Sequence, residues 1–170
     1  MEEKRIRILD ILEETMADGP GLRTSIYCAG CAHHCPGCHN PQSWDFNGGY
    51  EMTVQQLLDI IKDDEFANVT FSGGDPFYQV EAFTELARRI KEETSKTIWC
   101  YTGFTYEEIL ADERLRQILP YIDTLVDGPF VEALRDPDLH FRGSSNQRII
   151  HLTKEEDDII EGTVSITPYK

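Results

Sequence analysis

The chain has 170 residues, of which 40% are hydrophobic and 28% charged, and its formal net charge is −15 at pH 7. This composition suffices for one hydrophobic core, so we expect a single domain over residues 1–170. No apolar run reaches the roughly 20 residues of a membrane helix, which excludes a membrane span. The negative charge argues against a broad phosphate-binding surface, so we do not expect nucleic acid as a partner.

Strand-like and helical patterns alternate along the chain. The predicted strands, in chain order, are 5–12, 23–27, 68–72, 97–101, 122–126 and 147–152, with 163–167 as a further candidate. A capping box at residues 53–56 predicts a helix to about residue 62. Periodicity predicts two more helices, one after residue 76 and one after residue 105, with these residues on their apolar faces: Phe83, Leu86, Ala87 and Ile90, then Ile109, Leu115 and Ile118.

Helices between successive strands favour βαβ units and a mostly parallel sheet. Ligands of such sheets bind beyond the carboxyl ends of the strands. Three of the predicted strands end in glycine-containing turns, at residues 73–74, 102–103 and 127–128. Five or six strands are too few for the eight of a closed barrel. We therefore predict an α/β fold in the form of a partial, open (β/α) barrel.

The cysteine pattern is the most informative feature of the chain. Cys31, Cys35 and Cys38 form a CxxxCxxC motif within residues 30–40. Thiolates are soft ligands that suit zinc or iron–sulfur clusters. Three protein ligands leave one iron of a [4Fe–4S] cube open to a small molecule, which favours chemistry over a purely structural role.

A zinc site is the alternative interpretation of the same residues. Adding Cys28 gives two CxxC pairs, as in four-thiolate zinc sites. These pairs are only three residues apart, whereas roughly 15–20 residues usually separate the pairs of such modules, and this favours a cluster. Three histidines can each replace a thiol, so zinc stays open: His33, His34 and His39. We expect Cys28 and Cys100 to be structural thiols.

The start of the chain, Met1 to Arg5, is charged and does not resemble a secretory signal. A disulfide framework is therefore not expected, and the five cysteines predict reduced thiols in a cytoplasmic protein.

Further motifs flank the cysteine loop. DGPGLRT precedes it at 18–24, GGDP follows at 73–76, and the later motifs are YTG at 101–103, DGPF at 127–130 and RGSSNQR at 142–148. From about residue 5 to about residue 152, the chain resembles the radical S-adenosylmethionine activating enzymes, which generate a glycyl radical on a partner enzyme. The RGSSNQ segment, and Gly37 where many members carry an aromatic residue, resemble the subgroup that serves anaerobic ribonucleoside-triphosphate reductase. Residues 153–170 match nothing in this pattern.

The resemblance implies an oxidoreductase with two cofactors. Cys31, Cys35 and Cys38, on a cluster loop at 28–46, would hold three irons of a [4Fe–4S] cluster, and S-adenosylmethionine would chelate the fourth. One electron would then release methionine and a 5′-deoxyadenosyl radical. That radical would abstract hydrogen from a glycine in a C-terminal loop of the reductase. Flavodoxin is the electron donor that the family implies.

The resemblance also implies which residues contact S-adenosylmethionine. Gly73 and Gly74 would offer main-chain carbonyls to the methionine ammonium, where a side chain would block close approach. Asp75 would either add charge there or cap the following helix. Three residues around the third cysteine complete the predicted contacts: Gly37, Cys38 and His39.

Three other functions fit parts of the pattern. The chain could activate another glycyl radical enzyme, such as pyruvate formate-lyase. It could instead be a radical enzyme that acts on a small molecule, such as a deazaguanine synthase. A zinc-stabilised interaction module without catalysis is the third, and it belongs to a different class.

Overall fold

The computed structural model describes residues 3–38, 41–152 and 163–165. Its strands are β1 Arg5–Thr15, β2 Arg23–Cys28, β3 Tyr50–Thr53, β4 Asn68–Gly73, β5 Ile98–Tyr101, β6 Thr124–Asp127, β7 Arg148–His151 and β8 Thr163–Ser165. Its α-helices are α1 Val54–Asp63, α2 Val80–Glu93, α3 Tyr106–Ala111 and α4 Glu113–Arg116. Across these described ranges, no helix combines the length and the apolarity needed to cross a membrane.

The strands form one sheet in the order β3-β1-β2-β4-β5-β6-β7-β8. The four central strands β2, β4, β5 and β6 run parallel, and β8 runs parallel to β7. The antiparallel pairs are β1 with β2, β1 with β3, and β6 with β7. The predicted mixed α/β fold with a mostly parallel sheet that does not close is confirmed.

Two details of the prediction are wrong. The sheet has eight strands in the described residues rather than five or six, because β3 is a four-residue edge strand that pairs only with β1 and has no apolar alternation. The single helix predicted after residue 105 is two helices, α3 and α4. They separate at Asp112, whose carboxylate caps α4 by accepting from the main-chain N–H groups of Arg114 and Leu115.

Alternation along the central strands gives the sheet two buried faces. On one face, strand residues such as Phe71 and Cys100 pack with the helices in the main core. On the other face, Trp99, Val126 and Ile149 form a smaller apolar cluster. The carboxyl ends of the parallel strands lie together at one edge of this sheet, and their amino ends lie at the opposite edge. We call each of these two edges a rim.

The register of the central strands decides which loops meet at one rim. Cys28, the last residue of β2, lies opposite Gly73, the last residue of β4. The cysteine loop leaves β2 at this rim, and Thr102 and Gly128 follow the same ends of β5 and β6. The three glycine-containing turns and the cysteine loop therefore share one rim, as the parallel arrangement predicts.

Helix α1 offers a test of the local capping chemistry. The Thr53 hydroxyl accepts from the Gln56 main-chain N–H at 3.0 Å, and the Gln56 side chain accepts from the Thr53 N–H at 2.9 Å. We expect Thr53→Ala to lower the free energy of unfolding by about 1 kcal/mol, because it removes the N-cap acceptor. Urea denaturation measures this. Thr53→Ser, which keeps the hydroxyl, should stay close to the parent, and an equal loss in both variants would contradict the capping role.

Candidate functional site

The three cysteines of the motif lie together on the loop that leaves β2. Cys31, Cys35 and Cys38 are partly exposed and free of disulfides. Cys28 and Cys100 are fully buried in the main core. Burial thus separates the five thiols into three partly exposed ones on the loop and two fully buried ones in the main core. This separation supports a ligand set of three.

The environment of these thiols does not favour free thiolates. Burial raises the pKa of Cys31 to about 11 and also raises that of Cys35, and negative charge on neighbouring cysteines raises both further. The main-chain N–H groups of His33 and Phe130 donate to the sulfurs of Cys31 and Cys35, respectively, which lowers each pKa in part. Three thiolates here need a positive centre to compensate them, which the irons of a cluster provide.

A single metal ion fits the arrangement less well than a cluster. Within the described ranges, no three His, Cys, Asp or Glu side chains converge as ligands of one ion. A cube accepts each thiolate on a different iron, so its three ligands need not meet at a point. The two described histidines of the zinc alternative are also engaged elsewhere: His33 contacts Asp75, and His34 stacks on Trp44 at 4.5 Å. His39 lies outside the described residues.

The glycine turn after β4 packs directly on the backbone of the cysteine loop. Gly74 N–H donates to the Cys28 carbonyl at 2.8 Å, and Asp75 N–H donates to the Gly30 carbonyl at 2.9 Å. A Cβ at Gly74 would lie 2.4 Å from the Gly30 oxygen, and one at Gly73, where φ is +100°, would lie 2.3 Å from the Cys28 nitrogen. Both positions therefore exclude a side chain, because the two backbones touch.

Asp75 is the centre of a buried hydrogen-bond network. Its carboxylate accepts from Phe77 N–H at 3.0 Å, from the Thr102 hydroxyl at 2.9 Å and from Gly103 N–H at 2.9 Å. Nε2 of His33 lies 2.7 Å from the same carboxylate, and since a carboxylate only accepts, the ring nitrogen donates. Of the two predicted roles, capping of the short helix Pro76–Gln79 is confirmed.

Sequence reasoning missed the part that His33 plays in this network. Its ring packs edge-on against Phe104 at 4.6 Å and near Tyr78 at 5.5 Å. A Cβ at Gly103 would lie 2.5 Å from the ring, so the turn after β5 fits closely around it. The middle of the cysteine loop is thus anchored by one side chain inserted between two strand ends. The single detectable signal was a histidine inside the motif, which reads equally well as a zinc ligand.

The DGPGLRT segment is held by a buried arginine. Nε of Arg23 donates to the Thr70 hydroxyl at 2.9 Å, and Nη1 donates to the Pro20 carbonyl at 2.8 Å. The guanidinium lies over the Trp99 ring, 5.7 Å from its centroid. The Thr70 hydroxyl in turn donates to the Asp18 carbonyl at 2.6 Å. These contacts fix the segment against the start of β2 and the middle of β4.

A cleft of about 670 Å³ opens beside the glycine turn. Its polar lining includes Asp10, Asp18, Tyr27 and Ser72, and Gly73 forms part of its wall. The Tyr27 hydroxyl donates to Asp18, and burial together with that bond raises the pKa of Tyr27. The volume is within the range of sites that bind small molecules, about 300–1,000 Å³. Gln42, four residues after the third cysteine of the motif, also lines the cleft.

Gly37 and Cys38 of the predicted site, and Arg148 at the end of the RGSSNQR motif, lie at the same rim. Gly37 has φ +76° and Cys38 N–H donates to the Cys35 carbonyl at 3.1 Å, which closes a tight turn at the end of the motif. Arg148 pairs with the carboxylates of Asp127 and Glu107. These two bonds raise the pKa of the Arg148 guanidinium. Arg148 therefore binds protein carboxylates rather than solvent.

Comparisons with known proteins agree on one family. Residues 17–150 match the family described as a 4Fe-4S single cluster domain. The anaerobic ribonucleoside-triphosphate reductase-activating protein of Haemophilus influenzae is 40% identical over 145 residues, 81% of this chain and 92% of that protein. Proteins of the same name from Escherichia coli K12 and from bacteriophage T4 are 38% identical over 145 residues and 33% over 138. These two matches span 81% and 78% of this chain, and 93% and 85% of the respective relatives.

Proposed function

Because this chain belongs to the family of anaerobic ribonucleoside-triphosphate reductase-activating proteins and has a 4Fe–4S single cluster domain, we propose that it is a radical S-adenosylmethionine enzyme acting on such a reductase. Its bound [4Fe–4S] cluster would deliver one electron to S-adenosylmethionine, so that methionine leaves and a 5′-deoxyadenosyl radical takes hydrogen from a glycine of the reductase. The observation that carries this proposal is the set of three partly exposed thiols on a loop whose first residues are hydrogen-bonded to a glycine turn.

The residues of this chain have separate tasks in the proposal. Cys31, Cys35 and Cys38 hold the cluster, and the glycine turn fixes their loop on the end of β4. Gly73 also walls the cleft, so we assign S-adenosylmethionine to that cleft, with the carbonyls of Gly73 and Gly74 as acceptors for its ammonium. Gly37 and Cys38 stay proposed contacts on the cluster side, and His39 is proposed from the sequence alone.

In this proposal Asp75 is a positioning residue. Its carboxylate already accepts from Phe77, Thr102, Gly103 and His33, so it orients the glycine turn and the cysteine loop relative to each other. The aromatic rings of Tyr78 and Phe104 pack around His33 and help to hold the loop in place.

The same proposal extends to the type of fold, the electron donor and the cellular location. We regard the open sheet as the partial barrel of a single radical S-adenosylmethionine domain over residues 1–170, with the cluster loop at 28–46. Four parallel strands ending at the rim of the cysteine loop support that assignment. We propose flavodoxin as electron donor and the cytoplasm as location, where thiols stay reduced.

Anaerobic purification followed by iron, zinc and acid-labile sulfide analysis tests the cluster. We expect iron and sulfide in equal amounts, about four of each per chain when reconstituted, as the [4Fe–4S] composition demands. Under dithionite the protein should convert S-adenosylmethionine to 5′-deoxyadenosine, detected by chromatography. With the reductase added, a glycyl radical signal should appear by electron paramagnetic resonance.

Each alternative has its own result in this experiment. Zinc without acid-labile sulfide would support the zinc-stabilised interaction module and exclude the proposed enzymatic function. Turnover of a small molecule without a protein partner would identify a different radical enzyme. A glycyl radical on pyruvate formate-lyase but not on the reductase would reassign the partner.

A further inference from the structure

The RGSSNQ segment, residues 142–147, has no task in the proposed reaction, yet it is bonded closely to the loop after β6. We name residues 142–147 the brace and residues 128–132 the Pro129 loop. Asn146 Nδ2 donates to the Pro129 carbonyl at 2.8 Å, and Gln147 Nε2 donates to the Gly128 carbonyl at 3.0 Å. The Ser144 hydroxyl accepts from Val131 N–H at 3.1 Å. Three side chains of the brace therefore satisfy three main-chain groups of the Pro129 loop.

The brace is itself rigid, because its side chains bond to one another. Ser144 is fully buried, and its hydroxyl donates to Asn146 Oδ1 at 2.6 Å. Gln147 Oε1 accepts from the N–H groups of Gly143 and Ser144 at 2.9 Å and 3.2 Å. A Cβ at Gly143 would lie 2.9 Å from the Phe130 ring, so the brace also supports that ring directly.

The Pro129 loop reaches from the brace to the cysteine loop. The Phe130 main-chain N–H donates to the sulfur of Cys35. Two residues further on, the Glu132 side chain packs over Gly37, where a Cβ would lie 2.9 Å from it. The brace thus determines where one amide hydrogen points, and that hydrogen points at a proposed ligand of the cluster.

We propose that the brace holds the Phe130 N–H on the Cys35 sulfur and thereby raises the reduction potential of the cluster, an inference that rests on the proposed function. Hydrogen bonds to the ligand sulfurs are among the factors that set cluster potentials. The sulfur carries more negative charge when the cluster is reduced, so a donor stabilises the reduced state more than the oxidised state. The brace residues are positioning residues, because they act through Phe130.

Ser144→Ala and Asn146→Ala test the brace, with Ser145→Ala as the matched control. Ser145 is exposed, and its side chain takes no part in the bonds above. All variants should bind iron and sulfide like the parent. At a fixed solution potential, we expect the ratio of reduced to oxidised cluster to fall about tenfold in Ser144→Ala and Asn146→Ala. For a one-electron couple this fall corresponds to a reduction potential lower by about 59 mV. Redox titration followed by electron paramagnetic resonance measures this ratio, and Ser145→Ala should not change it.

A measurement on the parent protein keeps the test independent of variant folding. The chain has 8 phenylalanines, and labelling them with nitrogen-15 should give a nitrogen coupling to the reduced cluster in pulsed electron paramagnetic resonance. The coupling should vanish in Phe130→Leu, whose donor amide carries no label.

The role of the brace and the proposed function are contradicted by different results. The proposed effect of the brace on the reduction potential would be contradicted by either of two results. One is the absence of the nitrogen coupling in the parent, and the other is an unchanged potential in both folded brace variants. Absence of a cluster from the parent would overturn the proposed function instead.

Discussion

Cys31→Ala, Cys35→Ala and Cys38→Ala are each expected to lose the cluster, and with it all formation of 5′-deoxyadenosine. Each of these thiols is the ligand of a different iron in the proposed site, so removing one exposes an iron to solvent and oxidant. The three sulfurs share one loop, and the other two described cysteines are buried in the main core, so we expect neither to replace a lost ligand. Iron and sulfide content after anaerobic reconstitution measures the loss, together with the visible absorption of the cluster.

Cys28→Ala and Cys100→Ala are the matched controls for this result. Both thiols have no exposed surface and lie in the main core. Burial raises the pKa of each well above its usual value. We expect both variants to keep the full cluster, with a modest loss of stability from the buried atom removed. Loss of iron from Cys28→Ala would show that the ligand set is wrong.

Asp75→Ala is expected to damage both stability and activity. The substitution leaves four buried donors without their acceptor: the Phe77 and Gly103 N–H groups, the Thr102 hydroxyl and the His33 ring. An unsatisfied buried donor costs about 1–3 kcal/mol, and water entering the cavity recovers part of this, so we expect a total loss of about 3 kcal/mol. That loss corresponds to a fall in Tm of about 6–12 °C. The anchor of the cysteine loop is lost as well, so S-adenosylmethionine cleavage should fall at least tenfold.

Two variants show whether the network is responsible. Asp75→Asn keeps the oxygen that accepts from Phe77 but replaces the one that accepts from Gly103 and His33, so its Tm and its rate should lie between those of the parent and of Asp75→Ala. Asp138→Ala removes an exposed carboxylate and should change neither. Anaerobic thermal unfolding of the reconstituted protein and chromatography of 5′-deoxyadenosine provide the two readouts. A parent-like Tm for Asp75→Ala would contradict the network.

The fold could be predicted where local patterns are strong. The central strands are short apolar runs between turn residues, and the capping box at residues 53–56 falls where α1 begins. β3 and the break at Asp112 were missed because their causes are a non-local edge pairing and a carboxylate that caps within a periodic pattern. Periodicity alone does not contain either signal.

The site was predictable in part for a similar reason. A parallel sheet brings strand ends to one rim, so the proximity of the cysteine loop and the glycine turn followed from topology. The pairing of His33 with Asp75 spans 42 residues of chain and depends on how two loops cross, which no local pattern encodes. The brace was visible as a motif, but its contacts with Pro129 and Val131 depend on the return of the chain from β6 to β7.

The reversed direction of β7 has a consequence for how such a protein can be shortened or extended. Since Arg148 at the start of β7 pairs with Asp127 at the end of β6, the polypeptide between them departs from and re-enters the same side of the molecule. A parallel strand in that place would need a crossover that carries its connection to the far side. One antiparallel step therefore places residues 128–147 beside the proposed cluster site without an additional helix. Any truncation upstream of residue 142 would remove part of this connection together with β7 and β8, which form one edge of the sheet.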